Sequence, residues 1–464
     1  MTVLGASAQE GNPEGPIYIV QEGDSLWDIA VRFGVSLEDL SRENGISDLS
    51  QLAISDRLVI PGLEGIEGVL TTITVTYGET LQSYSRKFQI PADYVVRLNQ
   101  LTSPSELFVG SSLILPEENP INVNLSRNVI LPEISLFETS IASNSNTWDF
   151  VIKNDLKGTW DSIPGDVLYT SASNIELVDN LTEYSKEPGA LPEIIDNAEL
   201  SPLTVVQGKV SKLIITSNSK LSLKGSLLGH DLQFFESDQN QYVSLQGVHA
   251  MTEPGLYNLH LTGQFNDEAP YHGAQFSFTQ QILVRRGDYP IDPVLIVSPE
   301  TIDPAVTRPE DAQWEALATP FTSEKYWQGQ FTSPAPPPYS ECWPSMFGNR
   351  RSYNGSAYDY FHTGLDFCGG VGTEILAPAK GKVVFAGPLT VRGNATIINH
   401  GWGIYSAYMH QSEILVKPGD MVTPGQVIGL VGGTGRVTGP HLHWEVWAGG
   451  VQVDPLEWLN QTFP

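Results

Sequence analysis

Residues 439–446 read Gly-Pro-His-Leu-His-Trp-Glu-Val, a run whose apolar and β-prone residues predict a strand. Residues two apart in a strand project from the same face of its sheet. His441 and His443 are therefore expected to point the same way, with their imidazoles close together. This stretch raises the question of what the two rings face, and whether they share one role or divide two.

The other relevant histidines lie upstream. Five of the nine histidines fall between residues 362 and 443. His362 is followed four residues later by Asp366, and His410 ends the aromatic-rich run Tyr405–His410. A catalytic zinc site uses three protein ligands and keeps a fourth position for water. His362, Asp366 and one histidine of the final pair supply such a set, which leaves His410 and the other histidine beside the metal.

Together and in this order, these residues resemble the M23 family of zinc metallopeptidases, the lysostaphin-like endopeptidases that cut peptide bonds in bacterial peptidoglycan. The resemblance covers about residues 340–460 of a mainly antiparallel β domain expected over residues 340–464. It implies that His362, Asp366 and His443 bind Zn²⁺. It also implies that His441 and His410 are catalytic and flank the position of the water or the scissile carbonyl. Which of the two is the main base stays open.

Other residues of this segment are candidates for supporting roles. Tyr360 and Asn394 are predicted in the substrate groove, and packing is the alternative for Tyr360. Cys342 and Cys368, the only two cysteines, are compatible with one disulfide in an oxidising compartment. Two buried free thiols are the alternative.

Two other interpretations of the C-terminal segment are weighed. The turns around Pro418-Gly419 and Pro424-Gly425 resemble those of a biotinyl or lipoyl carrier, but no suitable motif with a modified lysine at a hairpin tip is present. The second alternative is a catalytically silent cell-wall-binding protein or an activator of other wall hydrolases. All five metal and catalytic positions are present, which favours the enzyme.

The N-terminal part contains an internal repeat. Gly23-Asp24-Ser25-Leu26 recurs as Gly78-Glu79-Thr80-Leu81, an offset of 55 residues. Each copy predicts a strand, an N-capped amphipathic helix, a second short helix and a closing strand. The copies, at residues 16–62 and 71–117, resemble βααβ LysM modules, which bind glycans containing N-acetylglucosamine.

For the first copy the resemblance implies glycan contacts on the loop Gly23, Asp24 and Ser25 and around Ile54. The second copy departs from the family pattern at Tyr84 and Ser85. A folded module that no longer binds sugar is the alternative for both copies.

The middle of the chain is predicted to be β-rich. Residues 120–198 contain short β-prone runs, such as Val129–Leu131 and Trp148–Ile152, and are interpreted as a small β-rich segment. Regularly spaced strand patterns over residues 199–286 predict an immunoglobulin-like β-sandwich. The proline-rich residues 287–339 are interpreted as a connector, because proline runs make semi-rigid spacers.

Composition restricts the partners and the location. The 464 residues carry a net charge of −28, which argues against a nucleic-acid ligand, and no window is apolar enough to span a membrane. Residues 6–8, Ala-Ser-Ala, fit a signal-peptidase site, although the regions that should precede it are missing. We therefore expect a trimmed form of an exported protein, secreted or in the cell envelope, whose partner is peptidoglycan.

Overall fold

The computed structural model describes residues 15–48, 52–63, 65–117, 125–171, 187–238, 240–266 and 275–464. It divides into two compact units, Met1–Ile194 and Ile195–Pro464. The expected signal-peptidase site at residues 6–8 lies outside the described residues. None of the helices in the described part of the chain combines the length and apolar character needed to cross a bilayer.

The first unit consists of short strands, each followed by or closing a pair of short helices. The strands are β1 (Ile17–Ile19), β2 (Arg57–Val59), β3 (Val69–Thr74), β4 (Ser112–Glu117), β5 (Leu125–Val129) and β6 (Val167–Ser171). The helices are α1 (Leu26–Phe33), α2 (Leu37–Glu43), α3 (Leu81–Phe88), α4 (Ala92–Leu98), α5 (Leu136–Ala142) and α6 (Thr147–Lys153), and a 3₁₀ turn spans Pro104–Glu106.

Capping and burial explain these helices. Ser25 precedes α1 and accepts a hydrogen bond from the backbone N–H of Asp28, while Gly34 ends the helix with a left-handed φ of 66°. The buried face of α1 consists of Leu26, Ile29, Ala30 and Phe33. The first two βααβ modules share one sheet, ordered β2-β1-β3-β4, because β1 and β3 pair in parallel.

The segment 120–198 differs from expectation. It contributes β5 and β6, which pair antiparallel, but two helices separate them. The predicted β-prone run Trp148–Ile152 is wrong, since these residues lie inside α6. Asn146 caps that helix, and burial of Phe150 and Val151 favours it over a strand. Residues 195–198 belong to the β-sandwich and not to this segment, because the first sandwich strand begins at Ile195.

The second unit begins with the predicted β-rich region. Its strands are β7 (Ile195–Ser201), β8 (Val205–Val206), β9 (Val210–Ser217), β10 (Leu221–Leu227), β11 (His230–Leu232), β12 (Phe235–Asp238), β13 (Gln241–Gly247), β14 (Gly255–Phe265) and β15 (Gln275–Arg285). They form two sheets, β11-β10-β14-β15-β8 and β12-β13-β9-β7. This two-sheet arrangement agrees with the expected sandwich.

The proline-rich residues 287–339 are not a free spacer. They include a 3₁₀ turn at Pro299–Ile302 and helix α7 (Pro304–Ala318). Trp327 and Phe331 are buried in the same apolar core as the C-terminal strands. The predicted connector is therefore packed as part of the C-terminal domain, since its tryptophans gain more from burial than a spacer would offer.

The C-terminal domain is an antiparallel β structure. Its strands are β16 (Arg350–Arg351), β17 (Tyr360–Phe361), β18 (Leu365–Phe367), β19 (Glu374–Leu376), β20 (Gly381–Pro388), β21 (Asn394–Gly401), β22 (Ile404–Ile414), β23 (Met421–Val422), β24 (Val427–Val431), β25 (Leu442–Ala448) and β26 (Val451–Val453). A 3₁₀ turn at Tyr339–Glu341 precedes them and helix α8 (Pro455–Asn460) follows. The main sheet runs β18-β25-β22-β21-β20-β23.

Candidate metal centre and binding surfaces

The sheet register brings the predicted ligands together. Strands β18 and β25 are antiparallel neighbours in which Asp366 lies directly opposite His443, and His362 lies just before β18. The three pairwise distances among His362 Nε2, Asp366 Oδ1 and His443 Nδ1 are 3.0, 2.9 and 2.8 Å. All three residues are buried. These donor atoms therefore converge on one point inside the domain.

Hydrogen bonds fix which nitrogen of each imidazole faces that point. His362 Nδ1 lies 2.8 Å from the carbonyl oxygen of Met346, so it carries the proton and leaves Nε2 with its lone pair. His443 Nε2 lies 3.4 Å from Glu445 Oε1 and donates to it, which leaves the Nδ1 lone pair free. Two imidazole lone pairs and one carboxylate oxygen thus converge, an arrangement that favours a bound cation.

The donor set fits zinc. Two nitrogens and one oxygen are ordinary ligands of Zn²⁺, at bond lengths that place tetrahedral ligands about 3.3 Å apart. The separations of 2.8 to 3.0 Å are close to that value. Among the histidine, cysteine and acidic side chains of the described residues, one group lies close enough together to hold a metal ion, and it consists of His362, Asp366 and His443.

His410 and His441 lie beside this cluster. His410 Nδ1 donates to the carbonyl of Thr434 at 2.8 Å and His441 Nδ1 donates to the carbonyl of Gly439 at 2.8 Å. Each ring therefore keeps an unprotonated Nε2. The two ring centroids are 5.1 Å apart, and His441 Nε2 lies 3.6 Å from Asp366 Oδ1. The two histidines have the lone pairs and the positions that proton transfer beside the metal requires.

A backbone irregularity aims His410. The pairing of β21 with β22 slips between Asn394 and Thr396, and His410 adopts a φ of 61°. A left-handed conformation is unfavourable for a residue with a side chain, and such strain is concentrated at functional positions. The bulge turns His410 out of the regular alternation of β22 and toward the cluster.

Two charged residues that the sequence analysis missed support the cluster. Glu445 is 1% exposed, accepts from Trp314 and Trp447 at 3.1 and 2.8 Å, and faces His443. Arg351 lies 3.5 Å from Asp366 Oδ2, the oxygen turned away from the other ligands. Glu445 could have been found, because it follows His443 by two residues on the same strand face. Arg351 comes from a separate short strand and carries no sequence signal.

Burial and charge set the pKa values of these groups. Burial lowers the pKa of His362 to about 4 and that of His410 to about 3, which keeps both rings neutral at neutral pH. Burial also acts to lower the pKa of His443, but the neighbouring carboxylates of Asp366 and Glu445 outweigh it and the net pKa is raised. Burial acts to raise the pKa of Asp366, and the adjacent His362 and His443 instead hold it well below its usual range.

The cluster opens into a cavity of about 980 Å³. Tyr360 lines this cavity and is half exposed, as the sequence suggests for a groove residue. Asn394 is not among its lining residues, and its amide instead donates to the carbonyl of Gln411 at 3.0 Å. The sandwich and the former connector also line the cavity, through His249 and Asp292 among others. The candidate site is therefore shaped by three segments of the second unit.

The two cysteines lie near the cluster. Cys342 and Cys368 form a disulfide with their Cα atoms 5.4 Å apart. Cys368 directly follows β18, and its backbone N–H donates to the carbonyl of Cys342 at 3.0 Å. The bridge ties the start of the domain to the strand that carries Asp366.

The predicted glycan-binding residues of the first module have different environments. The Asp24 carboxylate is engaged internally, accepting from Tyr18 Oη at 2.6 Å and pairing with Arg32 at 3.3 Å. Ser25 caps α1, and Gly23 has a left-handed φ of 89°. Ile54, by contrast, is 63% exposed. Of the four predicted residues, Ile54 is the one that offers a large side-chain surface to a ligand.

These features define the class of protein. It has a metallopeptidase-like antiparallel β domain, in which two further histidines lie beside a buried cluster of two histidines and one aspartate. Small βααβ modules accompany this domain in the chain. Residues 360–455 match the model of peptidase family M23, and residues 18–61 and 73–116 match the LysM domain. The chain thus contains an M23 peptidase domain and two LysM domains, and the resemblance seen in the sequence is confirmed.

Curated relatives match the peptidase domain. The chain is 44% identical to the peptidoglycan DD-endopeptidase ShyA of Vibrio cholerae over 96 residues, and this match covers 21% of this chain and 22% of the relative. It is 43% identical over 95 residues to the DD-carboxypeptidase/endopeptidase Mpg of Neisseria meningitidis, 20% of this chain and 22% of the relative. The chain therefore spans about a fifth of the length of these relatives.

A solved structure gives a further comparison. A putative M23 peptidase from Pseudomonas aeruginosa is 25% identical, with a TM-score of 0.41, and the match covers 56% of this chain and 96% of that one.

Proposed function

We propose that this protein is a zinc-dependent endopeptidase that cleaves peptide bonds in bacterial peptidoglycan. The observation that carries the proposal is the convergence of His362 Nε2, Asp366 Oδ1 and His443 Nδ1 within 3.0 Å of one another, with His410 and His441 alongside. Peptidoglycan as the substrate is supported by the names of the curated relatives and by the two LysM domains.

Within this proposal His362, Asp366 and His443 hold the zinc ion. Zinc supplies Lewis acidity, which polarises a carbonyl and lowers the pKa of water. Glu445 holds the imidazole of His443 in the tautomer that presents Nδ1. Arg351 occupies the second oxygen of Asp366 and so keeps Oδ1 turned toward the other two ligands.

His410 and His441 move the protons of the reaction. Each has its Nδ1–H held by a backbone carbonyl, so Nε2 is the atom that accepts a proton from the attacking water. The same nitrogen, once protonated, can stabilise the charge that develops on the substrate's carbonyl oxygen or return the proton to the departing amine. The cavity admits a peptide to this point from the surface.

The LysM region binds the glycan strands of the wall and holds the enzyme on an insoluble substrate. Tethering raises the effective concentration of peptide bonds at the peptidase domain without changing its chemistry. A peptidoglycan substrate supports a location outside the cytoplasm, secreted or in the cell envelope, where peptidoglycan is found.

Purified sacculi incubated with the protein test the proposal. New amines on stem or cross-bridge peptides are expected by mass spectrometry, and they should disappear when a chelator removes zinc or when His441 is replaced by alanine. The position of the new amines identifies the bond that is cut. A zinc-loaded protein that binds sacculi and releases no new amines contradicts the proposal and favours the silent wall-binding alternative.

A further inference from the structure

Residues 125–171 repeat the backbone of the two LysM domains. Left-handed φ angles recur at intervals of 55 residues, and L residues with side chains adopt them rarely. The four sets are Gly23, Gly78 and Glu133 (89°, 97°, 64°); Gly34, Gln89 and Asn144 (66°, 52°, 52°); Gly45, Gln100 and Asp155 (63°, 52°, 52°); and Ser55, Gly110 and Gly165 (74°, 90°, 96°). Four coincident positions at one period indicate three copies of one fold.

An asparagine side chain makes the same pair of hydrogen bonds, here called the clasp, in each copy. The side-chain amides of Asn44, Asn99 and Asn154 each bond both backbone groups of the residue fifteen positions later. In the third copy Asn154 donates to the carbonyl of Tyr169 at 2.7 Å and accepts from its N–H at 2.7 Å. The clasp fixes the second helix of each copy against the closing strand.

The loops that flank the first strand are also joined in the same way. In the first copy the N–H of Ser55 donates to the carbonyl of Val20 at 2.9 Å. In the third copy the N–H of Gly165 donates to the carbonyl of Ile130 at 2.7 Å, and the N–H of Ile130 donates to the backbone carbonyl of Asp166 at 2.8 Å. The loop before α5 and the loop before β6 therefore lie side by side, as do the corresponding loops of the first copy.

We propose that residues 125–171 form a third glycan-binding module, and that the first and third modules bind sugar while the second is closed. The inference rests on the proposed function for its ligand, a chain of N-acetylated sugars. It assigns a site to a segment that the LysM matches at residues 18–61 and 73–116 do not include.

The chain itself covers the second module. The N–H of Ala190 donates to the carbonyl of Gly78 at 2.8 Å, so the segment 187–191 lies on the loop that corresponds to Gly23–Ser25. Glu79 and Lys87 form a buried ion pair at 3.1 Å beneath it, and a Cβ at Gly78 would lie 2.4 Å from Pro188. A glycan has no access to this loop while the segment is in place.

The first and third modules present apolar side chains instead. In the third module Ile134 and Ile163, on the two joined loops, are 41% and 65% exposed, and Trp160 is 79% exposed. At one position of the first helix the first and third modules carry Trp27 and Phe137, each 62% exposed, whereas the second carries Gln82. These side chains leave both modules with accessible apolar surface that a ligand can cover.

The charge of the third module favours an uncharged occupant. Residues 125–171 contain six Asp and Glu and three Lys and Arg. A net negative surface is repelled by anionic lipid headgroups, which attract basic segments. A neutral sugar chain, whose apolar ring faces can pack on isoleucine and aromatic side chains, fits both the charge and the exposed surface.

Calorimetric titration of the full-length protein with a soluble oligomer of N-acetylglucosamine tests the proposal. The oligomer contains no peptide cross-link, so binding is measured independently of cleavage and a failed peptidase test leaves the result intact. Two equivalents per chain are expected for the unaltered protein. The pair Ile134→Ser and Ile163→Ser should leave one equivalent, and Trp27→Ser with Ile54→Ser should also leave one.

Gln82→Ser in the second module is the matched control and should keep two equivalents. All substituted side chains are exposed, and an unchanged circular dichroism spectrum checks that each variant is folded. One equivalent in the unaltered protein, lost with the Trp27 and Ile54 pair, overturns the proposal. So does retention of both equivalents by the Ile134 and Ile163 pair, or a loss of binding to anionic vesicles in that pair with no change in sugar binding.

Discussion

The candidate metal centre and the proposed glycan-binding modules use opposite kinds of surface. His362 at the centre is 1% exposed and each of its ring nitrogens has a defined partner, whereas Trp160 in the third module is 79% exposed and apolar. A reaction centre needs fixed lone pairs in a low-dielectric interior, since desolvation strengthens their interactions. A sugar-binding surface needs accessible apolar area. A module that has the repeated backbone therefore binds sugar only if its loops are also exposed, and those of the second module are covered.

The largest expected effect distinguishes His441 from His443, the two histidines of residues 439–446. His443→Ala removes a ligand, so zinc should be lost and activity should fall by about 10³-fold or more. His441→Ala should keep nearly one zinc per chain and still lose most activity, since its Nε2 moves protons. Elemental analysis of both purified variants measures this. Zinc loss in His441→Ala with retention in His443→Ala would reverse the proposed roles.

The next prediction concerns Glu445, the hydrogen-bond partner of His443, and its effect on zinc affinity. Glu445→Gln replaces the acceptor of the His443 Nε2–H with a group that can donate, so the tautomer that presents Nδ1 is disfavoured. Zinc affinity should fall by about 10–100-fold, the size typical of a partner to a metal-binding histidine. Competition with a chelator measures it.

Trp314→Phe is the control for this substitution. It removes one donor to Glu445 Oε2 but leaves the contact of Oε1 with His443 unchanged. Its effect on zinc affinity should be smaller. Equal affinities for the Glu445→Gln variant and the unaltered protein would remove Glu445 from the proposed mechanism.

A third prediction concerns Glu457, a partly buried acid outside the metal-binding cluster. Burial raises the pKa of Glu457 to about 7, and Lys209 offsets this only in part. Because the folded-state pKa lies above the unfolded value, the stabilisation is complete below pH ~4.5 and is lost as pH rises through 7. Glu457→Gln should therefore stabilise the protein by about 1–3 kcal/mol at pH 8.5 and have little effect at pH 4.5.

Urea unfolding of the Glu457→Gln variant and the unaltered protein at both pH values gives the comparison. The glutamine can still accept from the N–H of Val210, which lies 2.9 Å from Glu457 Oε2. The same difference in unfolding free energy at pH 4.5 and 8.5 would show that the carboxylate is not the cause.

The smallest effect is expected at the exposed surface. Ile54→Ser in the first module should slow lysis of intact sacculi by a few-fold, because tethering is weakened. Cleavage of a short soluble peptide should stay unchanged, since the peptidase cluster is untouched. Val31→Ser, at another exposed apolar position of the same module, is the control. Equal lysis rates for the Ile54→Ser variant and the unaltered protein would show that this loop does not contribute to targeting.

The sequence predicted the peptidase cluster well because its chemistry uses rare residue types at fixed spacings. Strand alternation predicts that His441 and His443 share a face, whereas the assignment of His362 and Asp366 as ligands is implied by the resemblance to the M23 family. The disulfide pairing also lay within reach, since only two cysteines are present. The contribution of Arg351 could not be predicted from the sequence, because its strand reaches the cluster only through tertiary packing.

The third module was hidden for a physical reason. Its loop carries Glu133 where the first two modules have the glycine that a left-handed turn favours, so the repeated motif is lost although the turn is kept. The run Trp148–Ile152 has β propensity, and burial of Phe150 and Val151 overrides it in favour of a helix. The predicted connector was misread in the same way, because burial of Trp327 and Phe331 outweighs a proline-rich composition.

The sequence by itself indicated the domain families and predicted the candidate metal ligands and the proposed proton-transfer histidines, because the resemblance that carries them depends on residue identity and spacing along the chain. Tertiary structure alone decided which surfaces are open, which loop the segment 187–191 covers, and which groups hold the ligands in place. The accessibility of a loop and the orientation of a ring nitrogen depend on contacts between residues far apart in the chain. No local sequence pattern predicts the contact of Arg351 with Asp366 or that of Ala190 with Gly78.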